Sequence, residues 1–593
     1  MRAGLVTTTT IGAALCSVSS KAQPLDGFVD MHTHPMSHLG FGGMIMYGAP
    51  DSHSLMLGGQ KYRGFNFFEK ECNTAPEEAG SVEGALSFCN AMHGGYGAGT
   101  RSFGDANDCG DHIRAEIVNT VDEKYRFLAF NGLHVDHPHF GYPTFDHFPD
   151  WSSVTHQQMW WEWIKRAHAG GLRVMVSLAV NNTLLARAAN ATDRIDDKSS
   201  VELQLSEIKK LVSNHSDFME VALTAADLRR IVGAGKLAII LGIETEDLGN
   251  LTRRRAFEGE SISPAAVQDE VQSLFDAGVR YILPIHLSDS VLGGAALSDD
   301  LFALSSKYYS NAYSSVEQTC DSAVRFRLSA TNFGFPKADA LRSRDLGWVI
   351  DGAPTYPAPA SGCGHRNSLG LTALGVSALE KMMQLGMLID IDHMSQRAAD
   401  AALQLATAQG YPVSSGHNGM RGSTCDASDP QECHEGSRTR AQYLQIKAVG
   451  GMVGLGHGGT AGNFVRGYRA MLDLMGDHGV AIGTDVNGLY PMPAPEEDTE
   501  LTYDASFPRY EFGRSWDYNE RGFAHYGLFP DFMRAWSSSK TPALRITARE
   551  LSAFRSTAED LARLWERSSH RRTAVVTGRT GALATPWAIH SVL

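Results

Sequence analysis

His32-Thr33-His34 closes the apolar run Gly27-Phe28-Val29-Asp30-Met31, and two histidines spaced by two project from one face of a strand, a geometry suited to chelating one metal ion. Further along, Glu244, His286, His393, His417, His457 and Asp485 each end a short apolar run. Buried ionisable groups are costly unless paired or bound to metal, so this many of them argue for more than strand caps. Zinc and similar ions take nitrogen from imidazole and oxygen from carboxylate, and a pair of ions needs a bridging oxygen ligand. His32 and His34 with Asp485 are the candidate ligands of one divalent ion, His393 and His417 of a second, and Glu244 is placed to bridge them. A carboxylated lysine is the other chemical solution to such a bridge, but Lys236 begins its strand rather than ending it. Glu246 faces the same side of an ideal strand as Glu244 and is the alternative bridge.

Eight short apolar runs must position these groups: 27–34, 172–182, 237–244, 279–286, 387–393, 412–417, 451–457 and 480–485. Helical periodicity between them, over 201–214, 264–277, 371–385, 395–409 and 438–449, makes repeated βα units. Asp276-Ala277-Gly278 and Gln384-Leu385-Gly386 read as helix ends with a left-handed glycine. Eight strands alternating with helices predict an α/β fold of the (β/α)8 barrel type, with reactive groups at the C-terminal ends of the strands. Seven of the eight runs end in His, Glu or Asp; the exception ends in Asn181-Asn182. A barrel needs about 250 residues, so the 593-residue chain carries large insertions at 35–171 and 287–370 and an extension beyond 489. The first insertion holds Trp151, Trp160, Trp161 and Trp163, either a wall over the site or plain packing. We read residues 25–593 as one elaborated domain.

Hydrophobic residues make up 43% and charged residues 20%, ordinary for a globular protein. With 52 Lys+Arg against 66 Asp+Glu the net charge is −14, and no basic stripe stands ready for a phosphate backbone, so nucleic acid is not an expected partner. No run is long and apolar enough to span a bilayer. Residues 1–24 read as a cleaved export signal, the alternative being a disordered tail, and imply a periplasmic or secreted protein. Leucine directly before Cys16 makes a poor lipidation signal. Cys425 with Cys433, and Cys72 with Cys89, are candidate disulfides in an oxidising compartment. No cysteines form a Cys-x-x-Cys pair, which argues against a cysteine metal cluster. The cluster His134-Val135-Asp136-His137-Pro138-His139 reads as a solvated loop before it reads as a chelate.

The order His-x-His, Glu, His, His, Asp resembles the amidohydrolase superfamily, and the words around it resemble its membrane dipeptidase branch, peptidase family M19. The matching segments are Gly242-Ile243-Glu244, Val279-Arg280-Tyr281 leading to His286, Gly370-Leu371-Thr372-Ala373-Leu374-Gly375, Leu385 to Ser395, Ser415-Gly416-His417 and Ile482 to Gly488. The resemblance implies a barrel with two divalent metal ions, zinc foremost. His32, Glu244 and Asp485 would serve one ion, and Glu244, His393 and His417 the other. It further implies that His286 contacts the substrate and stabilises the oxyanion, and that a basic residue after the sixth strand binds the substrate carboxylate. Arg438 is the candidate and Arg421 its competitor. His457 and Asn181 are left with supporting or capping roles. The implied reaction is hydrolysis of a small amide, a dipeptide or N-acyl amino acid, with Asp485 taking the proton of the attacking water and returning it to the leaving amine. Fold and metals alone also admit a lactone or phosphotriester substrate, or an exported binding protein without catalysis. The ligand would be a small molecule, and a homo-oligomer is left open.

The family's first motif reads His-x-Asp, whereas here His34 replaces the carboxylate. The loss leaves the centre about one formal charge more positive, and that charge governs anion affinity. The chain is therefore expected to prefer substrates or inhibitors with an added anionic group. A His34→Asp variant assayed on matched neutral and anionic analogues checks this, an unchanged ratio counting against it.

Overall fold

Leu237–Thr245 is rich in Ile and Leu and buried along its whole length, as expected of a parallel strand covered on both faces. A computed structural model describes residues 23–57 and 149–576, apart from 44, 47, 53, 150, 155, 189–190, 192–193, 330–340, 343, 423–424, 426–432, 506, 512–513 and 516. Its strands, in chain order, begin with β1 (Phe28–Thr33), β2 (Leu172–Asn181), β3 (Met219–Val221), β4 (Leu237–Thr245) and β5 (Tyr281–Leu283). They continue with β6 (Val316–Thr319), β7 (Gly364–Asn367), β8 (Leu388–Ile389), β9 (Val453–Leu455) and β10 (Val480–Ile482).

β1 pairs with β2, β2 with β4, β4 with β5 and β5 with β8, all parallel. On its other side β1 pairs with β10, and β10 with β9, again parallel. The gap between β8 and β9 is closed by two parallel bridges, Asp390 to Ser414 and Ser415 to Val453. Eight staves thus follow one another in chain order around a ring, the (β/α)8 arrangement expected from the sequence. β3 is an additional strand beside the start of β4.

The eight expected runs are the eight staves, but several staves stop early: at Leu283, Ile389, Leu455 and Ile482 rather than at 286, 393, 457 and 485. The physical reason is visible at two of those ends. His393 (φ +61°) and Asp485 (φ +54°) adopt left-handed backbone that no strand accommodates.

The helices between staves begin where side chains can satisfy their free N–H groups. Ser263, Thr372 and Ser395 cap Pro264–Asp276, Ala373–Leu385 and Gln396–Gln409, and Thr439 with Gln442 forms a capping box on Arg440–Ala448. Gly386 ends its helix at φ +72°. The helix Pro264–Asp276 ends instead at a right-handed Ala277, with Gly278 at φ +100° just beyond. Trp160 and Trp163 are buried in helix packing, and Trp161 stacks on His215 at 4.2 Å, so the tryptophans of the first insertion pack rather than cover the site.

The barrel interior holds Val29, Val174, Val176, Ala238, Ile240 and Leu388 in one cluster with Leu561, Leu564 and Trp565. Those last three lie on the helix Thr557–Val576, which closes the N-terminal end of the barrel. The closure is hydrogen-bonded at strand starts: Val29 N–H donates to Thr557 Oγ1 (3.1 Å) and Gly479 N–H to Asp560 Oδ2 (2.8 Å). Part of the extension beyond 489 is therefore a floor for the barrel. Within the insertion 287–370, β6 and β7 form an antiparallel ribbon continued by a Cys320–Cys363 disulfide that spacing did not suggest. Cys425–Cys433 is bonded as expected. Residues 1–22, Cys72, Cys89 and the 134–139 histidine cluster lie outside the described residues. Among the described residues no helix is long and apolar enough to cross a membrane.

Trp565 is 1% exposed. Trp565→Ala should cost about 3–5 kcal/mol of stability, read as a lowered denaturant midpoint.

Candidate metal centre

Asp30 pairs with Met175 and Thr33 with Ser177, so β1 carries one residue more than β2 over this stretch, a bulge of the kind that re-aims side chains beside functional sites. The end of β1 is then laced to the loop after β10: Asp485 N–H donates to His32 O (2.9 Å) and His34 N–H to Val486 O (3.1 Å). Buried Asp30 anchors both sides, accepting from His32 N–H, Thr484 N–H, Thr484 Oγ1 and the Tyr526 hydroxyl. Burial pushes its carboxyl up to about 6 against those hydrogen bonds.

Beneath the site the staves meet backbone to backbone. A Cβ on Gly454 would fall 1.9 Å from Gly416 O, and one on Gly483 would fall 2.0 Å from the same oxygen.

The imidazoles converge above this layer. His32 Nε2 lies 3.1 Å from His34 Nε2 and 3.1 Å from Glu244 Oε2. His34 Nε2 lies 3.2 Å from Glu244 Oε2 and 3.2 Å from Asp485 Oδ1, while His32 Nε2 is 3.7 Å from that Asp485 oxygen. The other Glu244 oxygen, Oε1, faces His393 Nε2 at 3.0 Å and His286 Nε2 at 3.6 Å. The His417 ring lies 3.9 Å from that of His32 and 4.7 Å from that of His393, centroid to centroid. All six expected ligands thus meet in one place, and Glu244 stands between the two groups of imidazoles. Glu246 is not a bridge: its Oε1 lies 2.9 Å from His286 Nδ1 and accepts from Asn182 Nδ2, and its Oε2 accepts from Leu287 N–H.

The charges follow from this crowding. Burial drives Glu244 and Asp485 up, but the surrounding histidines outweigh it, holding Glu244 well below the usual range and Asp485 at about 2. Burial drives His34 down, but Asp485 and Glu244 outweigh it and raise it to about 9. His417 is likewise carried to about 10, by Asp392. His32, where burial dominates, falls to about 4. Burial with the nearby Asp392 charge pushes Asp390 up to about 8.

These residues suit divalent cations. Two imidazole nitrogens 3.1 Å apart need a proton or a cation between them, and the donor separations approach the edge, about 3.3 Å, of a tetrahedron built on zinc–ligand distances. The Nδ1 atoms of His34 and His417 face oxygen, Leu178 O at 3.4 Å and Asp392 Oδ2 at 3.2 Å, leaving Nε2 to point inward. Glu244 Oε1 is buried with no hydrogen-bond partner. His32, His34 and Glu244 form one group of closely placed ligand atoms, and Glu244, His393 and His417 another.

Of the two arginine candidates, Arg421 is used up within the fold, donating to Ser437 O, Gln396 Oε1 and Glu435 O. Arg438 is fully buried; Nη2 donates to the carbonyls of Met394 and Gly436, whereas Nε and Nη1 are buried without a hydrogen-bond partner. Asn181 ties the chain together, accepting from Phe41 N–H and donating to Ile195 O and Asp197 Oδ1. His457 Nδ1 accepts from Gly459 N–H, and burial lowers it to about 4. Sequence reasoning assigned nothing to Asp30 or Asp392, although each lies one or two residues from an expected ligand, and it weighed Glu246 only as an alternative bridge.

No family model matches the chain, and no curated protein matches it. Among solved structures it is similar to an amidohydrolase from Pseudomonas aeruginosa (15% identity, 69% of this chain and 92% of that one, TM-score 0.39). It is also similar to a metallo peptidase from Rhodobacter sphaeroides liganded with a phosphinate mimic of the dipeptide L-Ala-D-Ala (15% identity, 68% and 89%, TM-score 0.40). A dipeptidase described as a metallo peptidase of family M19 overlaps to the same degree (15% identity, 68% and 88%, TM-score 0.39).

His34 and His417 are raised above the ordinary imidazole value of 6.5, so their contribution to folding is complete below that pH and is lost as pH climbs through their folded values. Metal-free protein should therefore lose stability between about pH 6.5 and 10, while zinc-loaded protein should not. Thermal unfolding across that range checks it; parallel curves for the two forms would count against the arrangement.

Proposed function

We propose that this protein is a metal-dependent hydrolase that holds two divalent cations, zinc foremost, on either side of Glu244 and cleaves a small amide, a dipeptide or an N-acyl amino acid. The observation that carries the reading is the division of Glu244: Oε2 serves His32 and His34, and Oε1 serves His393. When bound, such a pair supplies Lewis acidity and an acidified water.

The chain's own groups supply the rest. Asp485 is held ionised and its side chain is 28% exposed, so it reaches the mouth of the site, where it takes a proton from the attacking water and hands it to the leaving amine. His286, raised by Glu244 and Glu246 against burial, presents Nε2 toward the centre and donates to the carbonyl oxygen as charge develops there. Arg438, whose Nε and Nη1 make no hydrogen bond within the fold, is the group assigned to a substrate carboxylate. These roles and the sequence motifs together favour an amide bearing a free carboxylate over a lactone or phosphotriester.

Dialysed protein should retain two metal equivalents and hydrolyse dipeptides in a chelator-sensitive manner. Glu244→Gln should lose metal and activity together. Asp485→Asn should lower kcat by about 10²–10⁴-fold. Metal-free protein after dialysis, or faster turnover of a lactone or phosphotriester than of any dipeptide, overturns the reading.

A further inference from the structure

The four imidazoles that could ligate cations are not held alike. His32 Nδ1 is buried without a hydrogen-bond partner, and His34 Nδ1 faces a backbone carbonyl. His417 Nδ1 likewise completes no hydrogen bond of good geometry, but a carboxylate oxygen, Asp392 Oδ2, lies 3.2 Å from it. The same oxygen accepts the His417 backbone N–H at 2.8 Å, so main chain and ring both face one carboxylate oxygen. Ser415 Oγ donates to Asp392 Oδ1, and Asp392 N–H donates to Asp390 Oδ1 at 2.9 Å. Asp392 is 0% exposed.

A buried carboxylate oxygen facing Nδ1 selects one tautomer, with the proton on Nδ1 and the lone pair on Nε2. It also makes that lone pair more basic, and such partners typically contribute about 10–100-fold to metal affinity. We infer that Asp392 is a positioning residue that orients His417 and thereby governs how tightly the His393–His417 side of Glu244 holds its cation, the His32–His34 side lacking such a partner. The inference rests on the metal-dependent reading above.

The test uses full-length protein loaded with Zn²⁺, titrated with a chelating indicator, for the parent, Asp392→Asn and Asp392→Glu. Asp392→Asn should release one equivalent about 10–100-fold more readily and leave the second unchanged. Asp392→Glu, which keeps the charge one methylene away, should fall between parent and Asn variant. The Co²⁺-substituted forms should differ in visible absorption at one position only. Two equivalents held as tightly in Asp392→Asn as in the parent, with only the melting temperature lowered, would mean a merely structural role and overturn the inference while leaving the metal reading intact. A parent that binds no cation overturns both. Should the Asn variant not fold, the Glu variant decides, and parental affinity there overturns the inference.

Discussion

Glu244 is 2% exposed, and a carboxylate taken that far from water is tolerable only with compensating charge on both oxygens. That single requirement accounts for much of what surrounds it. Imidazoles from three other staves must come within about one donor separation of it, and the bulge in β1 and the left-handed residues at 393 and 485 are what bring them there. Such backbone is strained for non-glycine residues and persists where surrounding structure over-determines it. Here the determination comes from hydrogen bonds that lace Asp485 and Val486 to His32 and His34.

The barrel separates stability from chemistry along its axis. Its N-terminal end is sealed by apolar side chains from the last described helix, and its interior is packed with branched residues up to the layer of Gly416 and Gly483. Above that layer seven of the eight staves lead into His, Glu or Asp, the second ending instead in Asn181-Asn182. Behind them stand carboxylates one step removed: Asp30 under His32, Glu246 behind His286, Asp392 behind His417. None touches the centre of the cluster, and each fixes the orientation or protonation of a group that does.

Much of this was legible in the chain. Alternation of apolar runs with capped helices placed all eight staves, and the residue types at their ends picked out the six side chains that meet. Strand ends were less legible, because the hydrophobic pattern runs on through residues whose backbone has already left the ladder. Glu244 and Glu246 fall on one face of an ideal strand; what separates them is their neighbours, imidazoles on both oxygens for Glu244, but for Glu246 one imidazole, His286, together with Asn182 and Leu287. Arg421 and Arg438 are likewise alike until their partners are seen.

What the sequence by itself determined is what depends on periodicity and residue chemistry: a (β/α)8 barrel, a polar upper rim, and the imidazole and carboxylate side chains carried on it. What the tertiary structure alone decided is everything that depends on distances between segments far apart in the chain. The pairing of Cys320 with Cys363, the floor made by Thr557–Val576, and the grip of Asp392 on His417 all belong there. Local pattern fixes which way a side chain points along its own strand, but which group it meets is set by how the ring of strands closes, and that closure is a property of the whole chain.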